Sequence, residues 1–186
     1  LRLARRPALP VPWPQVLRSA LRASIAGSGL PRDWTYRKPA RRQIAGVILP
    51  AMERYSPKVG MAIDTSGSMG PTESATFYQA LGEIQGVIAA TGLRSIPVIA
   101  GDAEVGSEQM VSNPLSVQLT GGGGTDMGVL LQKLADLRVD VAILYTDGET
   151  PWPSAALSPK TLILCTTDIA CPTWATTIRI HQKGHH

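Results

Sequence analysis

From Val59 onwards the chain alternates short apolar runs with amphipathic stretches, and this rhythm limits its fold more than any other feature. Runs at 59–64, 95–100, 141–145, 160–165 and 176–181 have the length and composition of buried strands. Between them Phe77, Leu81, Ile84 and Ile88 recur at spacings of four, three and four within 72–90. Met127, Leu130, Leu134 and Leu137 repeat the pattern further on. Each set predicts a helix with one apolar face turned to a sheet. Strands separated by helices run parallel and need cover on both faces. The connection after the second run is too short for a crossover helix, so a short strand between Gln109 and Leu119 is expected to be antiparallel. The expected fold is α/β: a Rossmann-like, doubly wound, mostly parallel six-stranded sheet with one antiparallel strand and helices on both faces.

Three segments are expected along the chain. Residues 1–57 read as a basic extension, the tail of an upstream domain or a linker, rich in proline and arginine up to position 14. It carries one helix at 14–26, where Val16, Leu17, Ala20 and Leu21 share a face, Pro14 suits the first turn and Gly27 can end it. The stretch 28–57 reads as irregular, anchored by Trp34 and Tyr36, with 44–49 a strand or short helix. Residues 58–182 form the α/β domain, and 183–186 read as the remnant of a purification tag. The whole reads as a piece of a longer protein.

Charge divides the same way. Residues 1–58 hold 12 Lys/Arg against 2 Asp/Glu, and residues 59–186 hold 6 against 12, so +10 and −6 sum to the net +4. A basic leader is compatible with nucleic acid or an anionic membrane, but few aromatics interleave its charges, and docking against the acidic domain or an upstream region is the simpler expectation. No stretch reaches the ~20 apolar residues that a membrane-spanning helix needs, and no membrane partner is expected. Cys165 and Cys171, without a secretory context, read as reduced thiols in a cytoplasmic protein.

The chemistry concentrates where the first run ends, in DTSGSMG at 64–70. In an extended loop Asp64, Ser66 and Ser68 lie on one side while Thr65 and Gly67 face away. One carboxylate with two hydroxyls is the oxygen-only donor type that hard cations such as Mg²⁺ prefer. The bland alternative is a strand-to-helix turn with a capping Ser or Asp. Two later segments bear on this choice. GGGGTD at 121–126 supplies Thr125 before a helix, and LYTDG at 144–148 supplies Asp147 at a strand end.

Asp64 with Ser66 and Ser68, then Thr125 in a glycine loop, then Asp147 after a strand, resembles the metal-ion-dependent adhesion site (MIDAS) of von Willebrand factor A (VWA) domains over residues 59–181. The resemblance implies that Ser66 and Ser68 bind the metal through their hydroxyls. It implies that Asp64 and Asp147 bind it directly or through water, and that Thr125 alternates between the two modes. The implied ion is Mg²⁺ or Mn²⁺, and the implied partner is a protein that offers a carboxylate. Asp126 reads first as a helix cap and second as an outer metal contact. Asp102, at the end of the second strand, is expected on the same sheet edge, first as part of a solvent-facing turn and second as an outer metal contact lining the crevice.

RDWTYRKPARR, GGGGTD and YTDG further resemble the VWA-like carboxyl-terminal domain of bacterial predicted metallopeptidase-like proteins, relatives of which are associated with MoxR-type AAA+ ATPases. Two features depart from a full VWA domain. Only ETPWPSAALSP separates the fourth and fifth strands, and its prolines permit little more than a helical turn. No helical pattern follows the last strand, and the helix near Val16 is expected to cover the face left open. Catalysis by this chain is not expected. A metal-dependent hydrolase of the haloacid-dehalogenase kind needs D-x-D, where Ser66 stands here, and His181 is the one histidine outside the terminal pair, which leaves no base for a serine nucleophile.

Overall fold

The computed structural model describes residues 13–26, 33–41, 44–53, 57–69, 75–91, 93, 95–101, 105–113, 116–117 and 126–180. In chain order these form α1 (Trp13–Ala26), β1 (Asp33–Pro39), β2 (Pro50–Glu53), β3 (Val59–Asp64), α2 (Ala75–Thr91), β4 (Ile96–Gly101), β5 (Val105–Val111), α3 (Met127–Asp136), β6 (Val141–Thr146), β7 (Lys160–Cys165) and β8 (Thr176–Arg179). None of the described helices is long and apolar enough to cross a membrane.

β3 to β8 build one six-stranded sheet in the order β5-β4-β3-β6-β7-β8, parallel throughout except for the antiparallel β4–β5 pair. The chain leaves β3 for β4 on one side and returns to β6 on the other. In open α/β sheets such a reversal opens a crevice beyond the carboxyl ends of the two central strands, the usual place for a ligand. The expected α/β class, the six strands and the single antiparallel strand are all present.

Alternation along the strands divides the core in two. Val59, Met61, Ile63, Val141, Ile143, Tyr145, Leu162 and Leu164 face α1 and α2. Ala62, Ala142, Leu144, Ile163 and Cys165 face α3 with its Leu130, Leu131 and Leu134. The stripe of α2, Phe77, Leu81, Ile84 and Ile88, is buried as its spacing predicts. On the α3 side small strand residues let the helix approach closely. A Cβ on Gly60 would stand 2.7 Å from Leu134 Cδ2 and 2.9 Å from Val139 Cγ1. Gly60→Ala is therefore expected to cost about 1–3 kcal/mol by overpacking, read as a fall in the thermal midpoint, whereas Gly82→Ala on α2, which meets nothing within 4 Å, should not destabilise.

Helix α1 packs against α2, β7 and β8. Leu17 and Leu21, one turn apart, are fully buried beside Ile178 and Ile180. The helix thus covers the β7–β8 end of the sheet face on which α2 also packs. Val16, at the margin of the expected stripe, is partly exposed instead. Arg18 and Glu83 join α1 to α2 at 2.7 Å, a surface pair worth at most about 1 kcal/mol.

On the α3 side no helix among the described residues lies over β7 and β8. The proline-rich loop 147–159 and the loop 166–175 cover them, with Trp152 and Trp174 in an edge-to-face pair at 6.4 Å between ring centroids. Trp174 Nε1 donates to the Pro153 carbonyl at 3.1 Å.

Three local expectations change. The antiparallel strand is Val105–Val111, earlier than the 109–119 window. Its residues 106–110 alternate between exposed and half-buried, as an edge strand does, and their polar composition hides them as a strand. The stretch 33–53 is an antiparallel pair rather than irregular, and 44–49 is part of its connecting loop rather than a strand or helix. Trp34 and Tyr36 anchor nothing in the core, being mostly exposed. The expected start of the second helix at 72–74 lies outside the described residues.

Candidate metal centre

The two central strands, β3 and β6, bring Asp64 and Asp147 to one sheet edge. Ile63 lies opposite Tyr145 in parallel register, so Asp64 falls beside Thr146 and Asp147 one residue beyond. Asp64 is fully buried and Asp147 nearly so. Thr146 fastens Asp64 to the turn that follows Asp147: its Oγ1 donates to Asp64 Oδ2 at 2.7 Å and accepts from Gly148 N at 3.0 Å.

The serines arrive by a tighter path than the extended loop expected from alternation. Asp64 Oδ1 accepts from Ser66 N at 2.9 Å, an Asx-type turn that bends the chain at once. Residues Gly67–Met69 then form a single 3₁₀ turn. The turn brings Ser66 Oγ and Ser68 Oγ within 3.0 Å of each other, one buried and the other open to solvent. The neighbouring Thr65 hydroxyl is buried without a hydrogen-bond partner among the described residues.

Asp147 is held from both ends. Its Oδ1 accepts from Glu149 N at 2.8 Å, while its carbonyl accepts from Cys165 Sγ at 3.3 Å and from Thr167 Oγ1. Asp147 Oδ2 accepts no hydrogen bond among the described residues, which leaves that oxygen available to a ligand. Gly148 follows at φ +88, where a Cβ would also stand 3.3 Å from Cys165 Sγ. A glycine at this left-handed position lets the loop turn away immediately after the carboxylate. Glu149 is exposed.

Asp126 is the N-cap of α3, in extended backbone at φ −132 and ψ 90, with Oδ1 accepting from Gly128 N at 2.9 Å. Thr150 Oγ1 accepts from Met127 N at 3.0 Å, so the loop after Asp147 and the start of α3 are fastened together. Beside this junction a groove of about 620 Å³ runs between α3 and the loop, lined by Val129, Pro151, Trp152, Pro153 and Leu157 with Asp126 at its rim. Thr125 and Asp102 lie outside the described residues.

Asp64, Ser66, Ser68 and Asp147 thus come to the end of two adjacent strands. The donor chemistry fits a hard divalent ion: only oxygen, two carboxylates, and two hydroxyls already brought together by the fold. Among the described residues no three His, Cys, Asp or Glu side chains form a cluster that could hold a metal ion. Cys165 and Cys171 are free thiols. Burial, followed by unfavourable interaction with the nearby Cys165 thiol, pushes the Cys171 thiol above its ordinary value.

The residues that composition did not reveal are Thr146, Thr150 and Thr167, which position the others. Thr146 had a sequence signal, since it directly precedes Asp147 in YTDG. Thr146→Val keeps the volume and removes one donor and one acceptor from a buried site. It is expected to cost about 1–3 kcal/mol, measurable by denaturant unfolding, and to weaken any ligand held by Asp64 and Asp147.

No curated protein and no solved structure matches the chain. The family model VWA-like domain (DUF2201) matches residues 59–181, from the first residue of β3 to beyond β8. With the parallel sheet, its antiparallel edge pair and the two-sided helical cover in place, the chain belongs to the VWA-like domain family.

Proposed function

We propose that this VWA-like domain is a divalent-metal-dependent protein-binding module of the MIDAS type, taking Mg²⁺ or Mn²⁺ and capturing an acidic group of a partner protein. One observation carries the reading: buried Asp64 and Asp147 end the two strands at the switch point, with the Ser66 and Ser68 hydroxyls brought together beside them. In this reading Ser66 and Ser68 are direct ligands, Asp64 and Asp147 bind directly or through water, and Thr125 completes the set. Two carboxylates only balance a divalent charge, so a bound ion would still attract a partner's carboxylate in this partly dry place.

The sequence resemblance extends the proposal. The chain would be the partner-binding part of a larger cytoplasmic bacterial protein of the metallopeptidase-like group, working with a MoxR-type AAA+ ATPase. Metal-assisted hydrolysis is the weaker reading, because Ser66 stands where a second aspartate would act as general acid.

The test is capture from the source cell's lysate by the wild-type chain and by Asp64→Ala, each with Mg²⁺ or with EDTA. A partner retained only by the wild type, and only with metal, is the expected result. Equal capture in all four arms would contradict the proposal.

A further inference from the structure

Residues 33–53 carry a surface that neither core uses. β1 and β2 pair antiparallel, with Asp33 opposite Glu53 and Pro39 opposite Pro50. Beyond the paired ends, Ala40 N donates to the Leu49 carbonyl at 3.3 Å, and Val47 N closes a tight turn on the Ile44 carbonyl at 3.0 Å. Gly46, at φ +82, supplies the left-handed residue of that turn. The pair therefore ends in a folded tip.

That tip is aliphatic and faces water. Ile48 is 79% exposed, and Ile44 and Val47 are more than half exposed. Behind the tip, Trp34 and Tyr36 stand two residues apart on one face of β1, also mostly exposed. None of the described residues of 33–53 belongs to either core cluster. Large exposed apolar side chains gathered on an element outside both cores mark a contact surface rather than an accident of packing.

Charge selects what the surface meets. Arg37 and Arg41 are exposed beside the tip, and the sequence of 33–54 contains Arg37, Lys38, Arg41, Arg42 and Arg54 against Asp33 and Glu53. The partner is therefore anionic. A single-stranded nucleic acid stacks its bases on aromatic rings, whereas here aliphatic side chains without a polar atom lead. An anionic bilayer surface fits the order from the tip inward: aliphatic groups at the acyl boundary, arginines at the level of the phosphates, then Tyr and Trp, which favour the interface.

We propose that the β1–β2 hairpin docks this chain on an anionic lipid bilayer, with Ile44, Val47 and Ile48 entering the headgroup boundary and Arg37 and Arg41 meeting lipid phosphates. The chain would lie on the membrane and not cross it. The proposal runs against the expectation of no membrane partner, and it does not depend on the metal centre.

Co-sedimentation with vesicles tests it, using phosphatidylcholine alone and a phosphatidylcholine–phosphatidylserine mixture. The wild type is expected to sediment with the mixture, much less with phosphatidylcholine, and less as salt rises. Ile48→Glu should lower partitioning about tenfold or more, from the loss of buried apolar surface and the added repulsion. Arg37→Glu with Arg41→Glu should lower it by a similar factor and flatten the salt dependence. These side chains are exposed, so circular dichroism should be unchanged. Asp64→Ala should sediment like the wild type, which separates this proposal from the metal-dependent one. The proposal is overturned by absence of sedimentation with the mixture, by Ile48→Glu binding as well as wild type, or by hairpin-dependent capture of a single-stranded oligonucleotide without vesicle binding.

Discussion

Adding Mg²⁺ or Mn²⁺ to the wild-type chain is expected to raise its thermal midpoint, and Asp64→Ala is expected to remove that response entirely. A ligand that binds only the folded state stabilises it by about 2.7 kcal/mol when present at 100 times its Kd. For a domain of 150 to 250 residues each kcal/mol moves the midpoint by roughly 2–4 °C, so the rise should be about 5–10 °C. Asp64 is the informative position because both its oxygens are already fixed, one by Ser66 N and the other by Thr146 Oγ1. Its substitution therefore affects the ligand geometry on β3 and β6 together. Ser68→Ala, at an exposed hydroxyl, should leave metal-free stability unchanged and still reduce the response. A midpoint in the wild type that ignores both ions would remove the metal reading, and circular dichroism of Asp64→Ala without metal would show whether the variant still folds.

Leu21→Ala is expected to destabilise the domain by about 2–5 kcal/mol, as for any fully buried leucine that leaves a cavity. The notable point is its location, 38 residues before β3, in α1. Leu17 and Leu21 lie in the same core cluster as Val59, Tyr145 and Ile178. Urea unfolding of Leu21→Ala should show one cooperative transition at lower denaturant with an unchanged slope. A separate early transition that leaves the main one in place would mean instead that α1 unfolds independently of the sheet. Arg22→Ala, exposed on the same helix, serves as the control and should change stability by less than about 0.5 kcal/mol.

Both predictions rest on features of unequal legibility. The strands β3, β6 and β7 were readable because strands buried on both faces become continuous apolar runs. α2 and α3 were readable because a helix that packs on a sheet must repeat its apolar residues every three or four positions. β5 was not, since an edge strand with one face in water is as polar as a loop, and pairing with β4 alone makes it a strand. The hairpin at 33–53 was missed for a related reason. Its apolar residues face outward, so burial gives no period to find.

The site divides in the same manner. Asp64, Ser66, Ser68 and Asp147 were visible as residue types at or just after strand ends, and the parallel order of β3 and β6 makes the two aspartates neighbours whatever the loops do. The means of convergence was not visible. Alternation along an extended loop would put Asp64, Ser66 and Ser68 in a row, whereas an Asx-type turn and a 3₁₀ turn bring the serine hydroxyls together. Thr146 was passed over because a buried threonine looks like any strand residue until its two hydrogen-bond partners are known.

The sequence by itself determined the α/β class, the parallel central strands and the oxygen donors at their ends, because periodicity and residue type are local properties of a chain. Only the tertiary structure decided that α1, expected to cover the open face, does so through Leu17 and Leu21, and that Thr146 bonds Asp64 to the turn after Asp147. It alone turned the aliphatic tip of 44–48 towards solvent. Those facts depend on which surfaces meet, and neither spacing nor composition records the partner of a surface.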